Sequence, residues 1–487
     1  MTNEELIKNI LDIPSETRTV EFKRVGASRN DCVAKTLESI VAMANTDGGT
    51  IILGVDDPQK TTRKGLDRIF GIEENLELYD EIGKSVRKIS PPIPGIWPPE
   101  LIDIPNNKRV GLLFVPKVGD GFRSFEGHVH IRLEKGNKLL APQELVHFAY
   151  VKGFERADKE LVAVEFALLK TGFYESWRKK REIADDSIEV ILEKTGLARK
   201  ESNGQLQPTR AAVLLFAEFP NDLLDTKCAV RVFQYEGNAE TIKETLNLIG
   251  TPKNIIGPVA KQITDAHEYV LTLLRTGIRV PSGFVTTYQV PERAVKEAIT
   301  NAVIHRDYQT KRDIEIKIFE DRIEIESPGL LPLNITPSNI GIERAHGYRN
   351  DLLVKHLREF SDPPNLDQNE GVRAMRQAMR AASMYPPIFW TYPRLQDAVR
   401  VILINEKAAS EWDKVCDYLN KNKYIANTEA RKLLYIDDTS KVSRLFRRWV
   451  NQGLLTSIIP RTGAKRNVKY RLPITDEKSL FAHGKNK

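Results

Sequence analysis

The chain has 487 residues, 41% of them hydrophobic and 29% charged, with a formal net charge of +7. That length exceeds one core and implies about three domains. The longest apolar runs, such as AAVLLFAEF at 211–219, fall far short of a membrane span.

Cys32, Cys228 and Cys416 lie far apart with no Cys-x-x-Cys pair, which argues against a disulfide framework or zinc knuckle. The start, MTNEELIKNILDIP, is acidic and amphipathic and lacks the features of a signal peptide, so a cytoplasmic protein is expected. Residues 3–11 predict a short helix ended by Pro14. TVEFK (19–23) predicts a strand, with Val20 and Phe22 on one face and Thr19, Glu21 and Lys23 on the other. Val33, Leu37, Ile40, Val41 and Ala44 recur at helical spacing behind Ser28 or Asn30 as cap, and TDGG (46–49) stops that helix. TIILGVDD (50–57) reads as a buried strand ending in two acids. VGLLFVP (110–116) and HVHIRLEKGN (128–137) read as further strand segments, and APQELVHFAYVKGF (141–154) closes an α+β domain over 1–155. Glu16 and Glu21 admit two readings: a metal-binding carboxylate pair, or the polar face of an edge strand.

Residues 156–289 predict a connecting α+β region. It holds a strand pair, AAVLLFAE and KCAVRVFQYEG, then a helix, GPVAKQITDAHEYVLTLLRT. Residues 290–405 predict a second α+β sandwich: a helix opened by Pro291, two strands (RDIEIKIFED and RIEIESPG), and two more helices. From 408 to 475, three short helices and two strands predict a winged helix-turn-helix, followed by a tail at 476–487. Residues 411–473 carry 14 Lys and Arg against 6 Asp and Glu, a net +8 that exceeds the charge of the whole chain. Lys441, Arg444, Arg447 and Arg448 form a basic stripe over an inner face of Leu445, Phe446, Trp449 and Val450, as a major-groove recognition helix requires. Arg461, Lys465, Arg466 and Lys469 on the wing suit phosphates. A winged helix that binds protein is the alternative.

EAITNAVIHRDY (297–308) resembles the N box of the GHKL ATPases. The resemblance implies that Asn301 ligates Mg²⁺ and that Glu297 positions or activates water. His305 and Arg306 either meet phosphates or brace the helix end. IEIESPGLLP (323–332), with Gly329, and NEGVRAMRQAM (369–379), with Gly371, stand in the places of the two glycine boxes that cradle phosphates. Two departures matter. Ser327-Pro328-Gly329 replaces the usual adenine-reading Asp, and the second box has one glycine where two are typical. ATP binding is therefore expected more than hydrolysis, and a degenerate fold kept for dimerisation or signalling is the alternative.

ETRTVEFK followed by ANTDGGTIILGVDD resembles the AlbA-type domain of Schlafen proteins. That likeness implies Glu16, Glu21 and Asp57 as ligands of Mg²⁺ or Mn²⁺ for RNA cleavage, with Lys23 and Arg132 neutralising phosphate charge. The same acids recur in AlbA-type domains with no assigned cleavage, so nucleic-acid or partner binding stays open. The three modules, in this order, resemble a bacterial and archaeal family of predicted transcriptional regulators. The expectation is a dimeric, ATP-binding protein that binds DNA, RNA or both. A metal-dependent ribonuclease, acting on tRNA in antiviral defence, and a GHKL-type ATPase clamp are the alternatives.

Overall fold

The computed structural model describes residues 3–473, except 27–28, 106, 119–120, 134–135, 152–155, 225, 242–246, 280–284, 287, 332–334, 336, 338, 343–348, 361–370, 392–393, 396, 423 and 459–467. The chain is α+β throughout and divides into two compact units: Met1–Phe154 with Ser410–Lys487, and Glu155–Ala409.

In the N-terminal domain, helix α1 (Asn3–Asp12) precedes strand β1 (Val20–Lys23), and helix α2 (Arg29–Asn45) leads to β2 (Gly49–Leu53). Helix α3 (Leu76–Ser85) and strands β3 (Glu100–Ile104) and β4 (Lys108–Val115) follow. The sheet order is β1-β2-β4-β3, with β1 parallel to β2 and the other pairs antiparallel. The period-2 alternation of the strands sorts side chains between two cores. Val20, Phe22, Ile52 and Leu112 pack with Leu6, Ile7 and Ile10 of α1, whereas Ile51, Leu53, Leu113 and Val115 pack with α2 and α3. Glu21 lies opposite Ile51 and therefore points to the α2 side.

Two sequence expectations are refined here. The strand expected over 50–57 stops at Leu53, because Gly54 turns the chain with a φ of +90°, and a Cβ there would meet the Gly71 backbone at 2.7 Å. Asp56 and Asp57 thus stand beyond the strand end. The segment 128–137 is not one strand: it holds β5 (His130–Arg132) and the first residue of β6 (Asn137–Leu139), which pair antiparallel.

In the central unit, the apolar run 211–219 is helical rather than extended: helix α4 spans Arg210–Phe216, and Thr209 caps it by accepting a hydrogen bond from the Ala212 N–H. A run buried on every side has no period to separate strand from helix. The two strands after it, β7 (Val230–Gln234) and β8 (Lys253–Ile255), are followed by helices α5 (Val259–Thr276) and α6 (Glu292–Ile304). Then come β9 (Ile314–Ile318), β10 (Arg322–Pro328), helices α7 (Asp351–Leu357) and α8 (Gly371–Ala381), and strands β11 (Ile388–Trp390) and β12 (Ala398–Ile404). One six-stranded sheet results, ordered β8-β7-β9-β10-β12-β11. The segment read as a connecting layer therefore supplies two strands of the same sheet, β7 pairing parallel with β9. Ile314, Ile316, Ile323, Ile325 and Leu403 bury one face of it against Ala298, Ile299 and Val303 of α6 and Met375 and Met379 of α8.

Two buried polar side chains tie this unit together. Asp158 accepts hydrogen bonds from the backbone N–H groups of Leu352 (2.7 Å) and Leu353 (3.2 Å) at the start of α7. Asn350 donates to the carbonyls of Ile304 and Arg306, both at 2.8 Å, closing the end of α6.

Two histidines make this unit acid-sensitive. Burial pushes His267 down to about 4 and His356 down to about 3. An unfolded chain takes up both protons near pH 6.5, while the folded unit stays neutral at those positions until the lower values. Stability is therefore expected to fall as pH drops below about 6.5, by roughly 1.4 kcal/mol per pH unit for each histidine. Hydrogen exchange of amides in α5 and α7 at pH 7 and pH 5 measures that slope. Gln at both positions should flatten it.

The C-terminal segment comprises α9 (Ser410–Asn422), β13 (Ile425–Ala426), α10 (Asn427–Leu434), α11 (Thr439–Asn451), β14 (Thr456–Ile458) and β15 (Lys469–Arg471). Its sheet order is β13-β15-β14. Val442, Phe446 and Trp449 of α11 are buried, with Trp449 edge-on to Trp412 at 5.1 Å and Phe446 tilted against Tyr470 at 4.5 Å. Asp438 caps α11 through the Ser440 N–H at 2.7 Å.

Candidate functional site

Glu21 is buried between β1 and α2. Its Oε2 pairs with the Arg132 guanidinium, and its Oε1 with the Lys23 ammonium at 2.6 Å. Ser39 of α2 lies 3.3 Å from the same Oε1, and Asn137 donates to the Ser39 hydroxyl at 3.0 Å. Burial works to raise the Glu21 carboxyl, but Arg132 and Lys23 outweigh it and hold the group below its usual value. Arg132 is 0% exposed. Besides Glu21 it donates to Asn137 at 3.0 Å and to the Thr17 carbonyl at 3.0 Å. It therefore cannot neutralise a phosphate as the sequence reading expected: its charge is spent inside the domain.

Glu16 accepts the Phe22 N–H at 3.2 Å and faces the Lys60 ammonium at 3.5 Å. Asp57 accepts the Gln59 N–H at 2.9 Å and pairs with Lys60 at 3.2 Å. Burial, then Glu21 and Asp57, push the Glu16 carboxyl above its usual value. The fold thus brings the three acids into one electrostatic cluster. Among the described residues, however, no group of three acid, histidine or cysteine side chains is arranged to hold a metal ion. The donor set does not fit a resident divalent cation, since all six carboxylate oxygens already have protein partners. Sequence reasoning missed Lys60, Ser39 and Asn137, which carry no motif.

In the central unit, Glu297 and Asn301 share one face of α6, and the start of α8 lies over them. A Cβ on Gly371 would meet Glu297 Oε2 at 2.9 Å and Asn301 Nδ2 at 3.1 Å. Asn301 Nδ2 is buried and has no hydrogen-bond partner among the described residues. Burial pushes the Glu297 carboxyl up, with Arg293 opposing. An uncommitted amide, a carboxyl and a helix start bare of side chain fit the metal-bound phosphates of a nucleotide.

The neighbouring candidates have internal roles. Arg306 is fully buried and donates to the carbonyls of Lys227 and Thr310, so it braces the end of α6 and does not reach a phosphate. The His305 N–H closes the same helix on the Asn301 carbonyl at 3.0 Å. Gly329, with a φ of +111°, leaves room for Asp307 and Arg349, which pair at 3.2 Å. Ser327 donates its hydroxyl to the Ala302 carbonyl at 2.7 Å, so the position of the missing adenine-reading Asp is tied to the backbone of α6.

Residues 16–141, from just before β1 through β6, match the family described as "Schlafen, AlbA_2". Residues 311–403, from β9 to β12, match the family described as "Putative ATP-dependent DNA helicase recG C-terminal". The chain thus carries a Schlafen-related, AlbA-type domain and an ATPase-like domain. Glu297 and Asn301 precede the second matched span. The chain is also similar to the crystal structure of the DIP2311 protein from Corynebacterium diphtheriae, at 17% identity over 98% of this chain and 99% of that one, with a TM-score of 0.39. No curated protein matches it.

Beyond the AlbA-type and ATPase-like domains, Lys441, Arg444, Arg447 and Arg448 of α11 are all exposed, opposite the buried Val442, Phe446 and Trp449. Leu445 and Val450, expected on the inner face, are only half-buried. Arg461, Lys465 and Arg466 lie outside the described residues, and Lys469 begins β15. Among the described residues no helix is long and apolar enough to cross a membrane.

Proposed function

We propose that this protein is an ATP-binding, DNA-binding transcriptional regulator in which the C-terminal segment is a winged helix that reads DNA. The observation that carries it is α11: four exposed cations on one side, three buried apolar anchors on the other, and a cap that fixes where the helix starts. The order helix, strand, helix, helix and strand pair supports the winged-helix reading. The ATPase-like domain senses ATP with Mg²⁺ at Glu297, Asn301 and the start of α8, and serves dimerisation. Selection of bound sequences from a random DNA pool at moderate salt tests the proposal: recovery of one motif supports it, and recovery of none rejects it.

The nucleotide part has its own test. Gly371→Ala places a methyl group against Glu297 and Asn301, and Asn301→Ala removes the amide. Each is expected to weaken ATP binding at least about tenfold, roughly 1.4 kcal/mol, in a calorimetric titration with Mg²⁺. Unchanged affinity in both would move the nucleotide elsewhere. Turnover of ATP that Glu297→Ala abolishes would instead indicate an ATPase clamp.

A second reading, a metal-dependent ribonuclease acting on tRNA in antiviral defence, is favoured by one observation: Glu16 and Asp57 share the Lys60 ammonium, and Glu16 lies within electrostatic reach of Glu21 as well. Incubating the protein with total tRNA and Mn²⁺, beside Glu21→Gln, decides it. Cleavage that survives the substitution, or no cleavage at all, removes this reading.

A further inference from the structure

Several arginines of the central unit use their charge inside it. Arg306 donates to the carbonyls of Lys227 and Thr310, and Arg349 pairs with Asp307 at 3.2 Å. Arg400 pairs with Glu324 at 3.0 Å and with Glu326 at 2.6 Å. Arg373, in the first turn of α8, donates to the carbonyls of Gly341 (3.0 Å) and Ile342 (2.6 Å). Arg376, further along α8, differs from all of these. It is half-buried, its Nε is sealed from solvent, and among the described residues it has no ion pair and no hydrogen bond.

Its neighbours show where the guanidinium lies. Side chains on a helix lean towards its N-terminus, and Arg376 does so. A Cβ on Gly341 would meet Val372, one turn earlier on α8, at 2.8 Å and Arg376 Nε at 3.4 Å. The side chain thus runs back over the first turn of α8, whose opening residue, Gly371, borders Glu297 and Asn301. The Phe389 ring of β11 is 5.9 Å away. Burial pushes the guanidinium below its ordinary value, and no acid opposes that. A desolvated cation without a counter-charge is costly. An anion that arrives with a ligand explains why one is kept here.

We infer that Arg376 binds the terminal phosphate of a nucleoside triphosphate laid across the start of α8, and so separates triphosphate from diphosphate. The inference rests on the nucleotide-binding reading of this site. Glu297 and Asn301 border the helix start from the α6 side, and Arg376 reaches it along the Val372 side. The terminal phosphate carries the most charge and the most free oxygens, which the planar guanidinium fork can pair two at a time.

The test is calorimetric titration of the full-length protein with ATP and with ADP, each with Mg²⁺, beside thermal unfolding of the nucleotide-free protein. Arg376→Met keeps an apolar stem and removes the charge. Its ATP affinity should fall at least about tenfold, the worth of a charged hydrogen bond, and its ADP affinity by less than about twofold. Arg376→Lys, a point charge without the fork, should bind ATP with an affinity between those of the wild type and the Met protein. Without nucleotide, the Met protein should unfold at the wild-type temperature or above it, since it loses a cation that has no partner. Equal losses for ATP and ADP, no loss for either, or a lower unfolding temperature would overturn the inference. Asn301→Ala separates it from the nucleotide reading, since that variant should lose affinity for both nucleotides. If the wild type binds neither, that reading falls and the inference with it. If Asn301→Ala weakens both and Arg376→Met weakens neither, only the inference falls.

Discussion

Replacing Arg132 by Met is expected to cost the N-terminal domain about 3–5 kcal/mol, the range for breaking one side of a buried ion pair. The reason is what stays behind. Glu21 would remain buried beside α2 with only Lys23 as counter-charge, and the carbonyl of Thr17 would lose a donor. Asn137, which receives Arg132 and passes its amide to Ser39, would lose its anchor. Urea denaturation followed by hydrogen exchange of β1 and β2 amides measures the loss. The double variant Glu21→Met/Arg132→Met should recover part of it, because removing both charges together leaves no uncompensated ion. A phosphate-binding arginine behaves oppositely: its loss weakens nucleic-acid binding and leaves folding intact. The same pair makes the domain acid-labile. Glu21 titrates below its unfolded value, so its contribution is present above the unfolded value, near 4.3, and disappears as pH falls through the lower, folded one.

How much of this could be read in advance depended on whether the signal was local. The alternation of TVEFK placed Glu21 opposite to Val20 and Phe22, and the structure puts it there, on the α2 side. The helix carrying Glu297 and Asn301 was legible from its period, and their shared face follows from a spacing of four. Arginine 132 was not legible. Arginines are mostly exposed, and the partners that bury this one come from residues 17, 21 and 137, which the hairpin and sheet bring together. Lys60 stands in a loop whose only local hint was an acid three residues before it. That one sheet takes strands from both sides of 289/290 was hidden for a related reason. Pairing of Val230 with Ile314 is a long-range parallel contact, and parallel pairing leaves no turn sequence to announce it. The apolar run 211–219 erred through its own uniformity, with Thr209 as the one cue to a helix start.

The other large effect is expected at α11. Replacing Lys441, Arg444, Arg447 and Arg448 together by Ala should leave the fold intact, since all four are exposed and Val442, Phe446 and Trp449 keep the helix docked. Ala also favours the helical state. DNA affinity should fall by on the order of a hundredfold or more near 0.1 M salt, because each cation that meets a phosphate releases condensed counterions. The discriminating quantity is the slope of log affinity against log salt. Four lost phosphate contacts should make it shallower by about 3–4 for any duplex. If some of the four read base edges instead, their loss should reduce the slope less and erase the preference for the selected sequence over random DNA. Arg444→Ala and Arg447→Ala made singly separate the two roles, since base contacts show as lost discrimination of about 1–3 kcal/mol at one position of the site. Unchanged affinity in the fourfold variant would mean that α11 is a solvated basic face and that the segment meets protein instead.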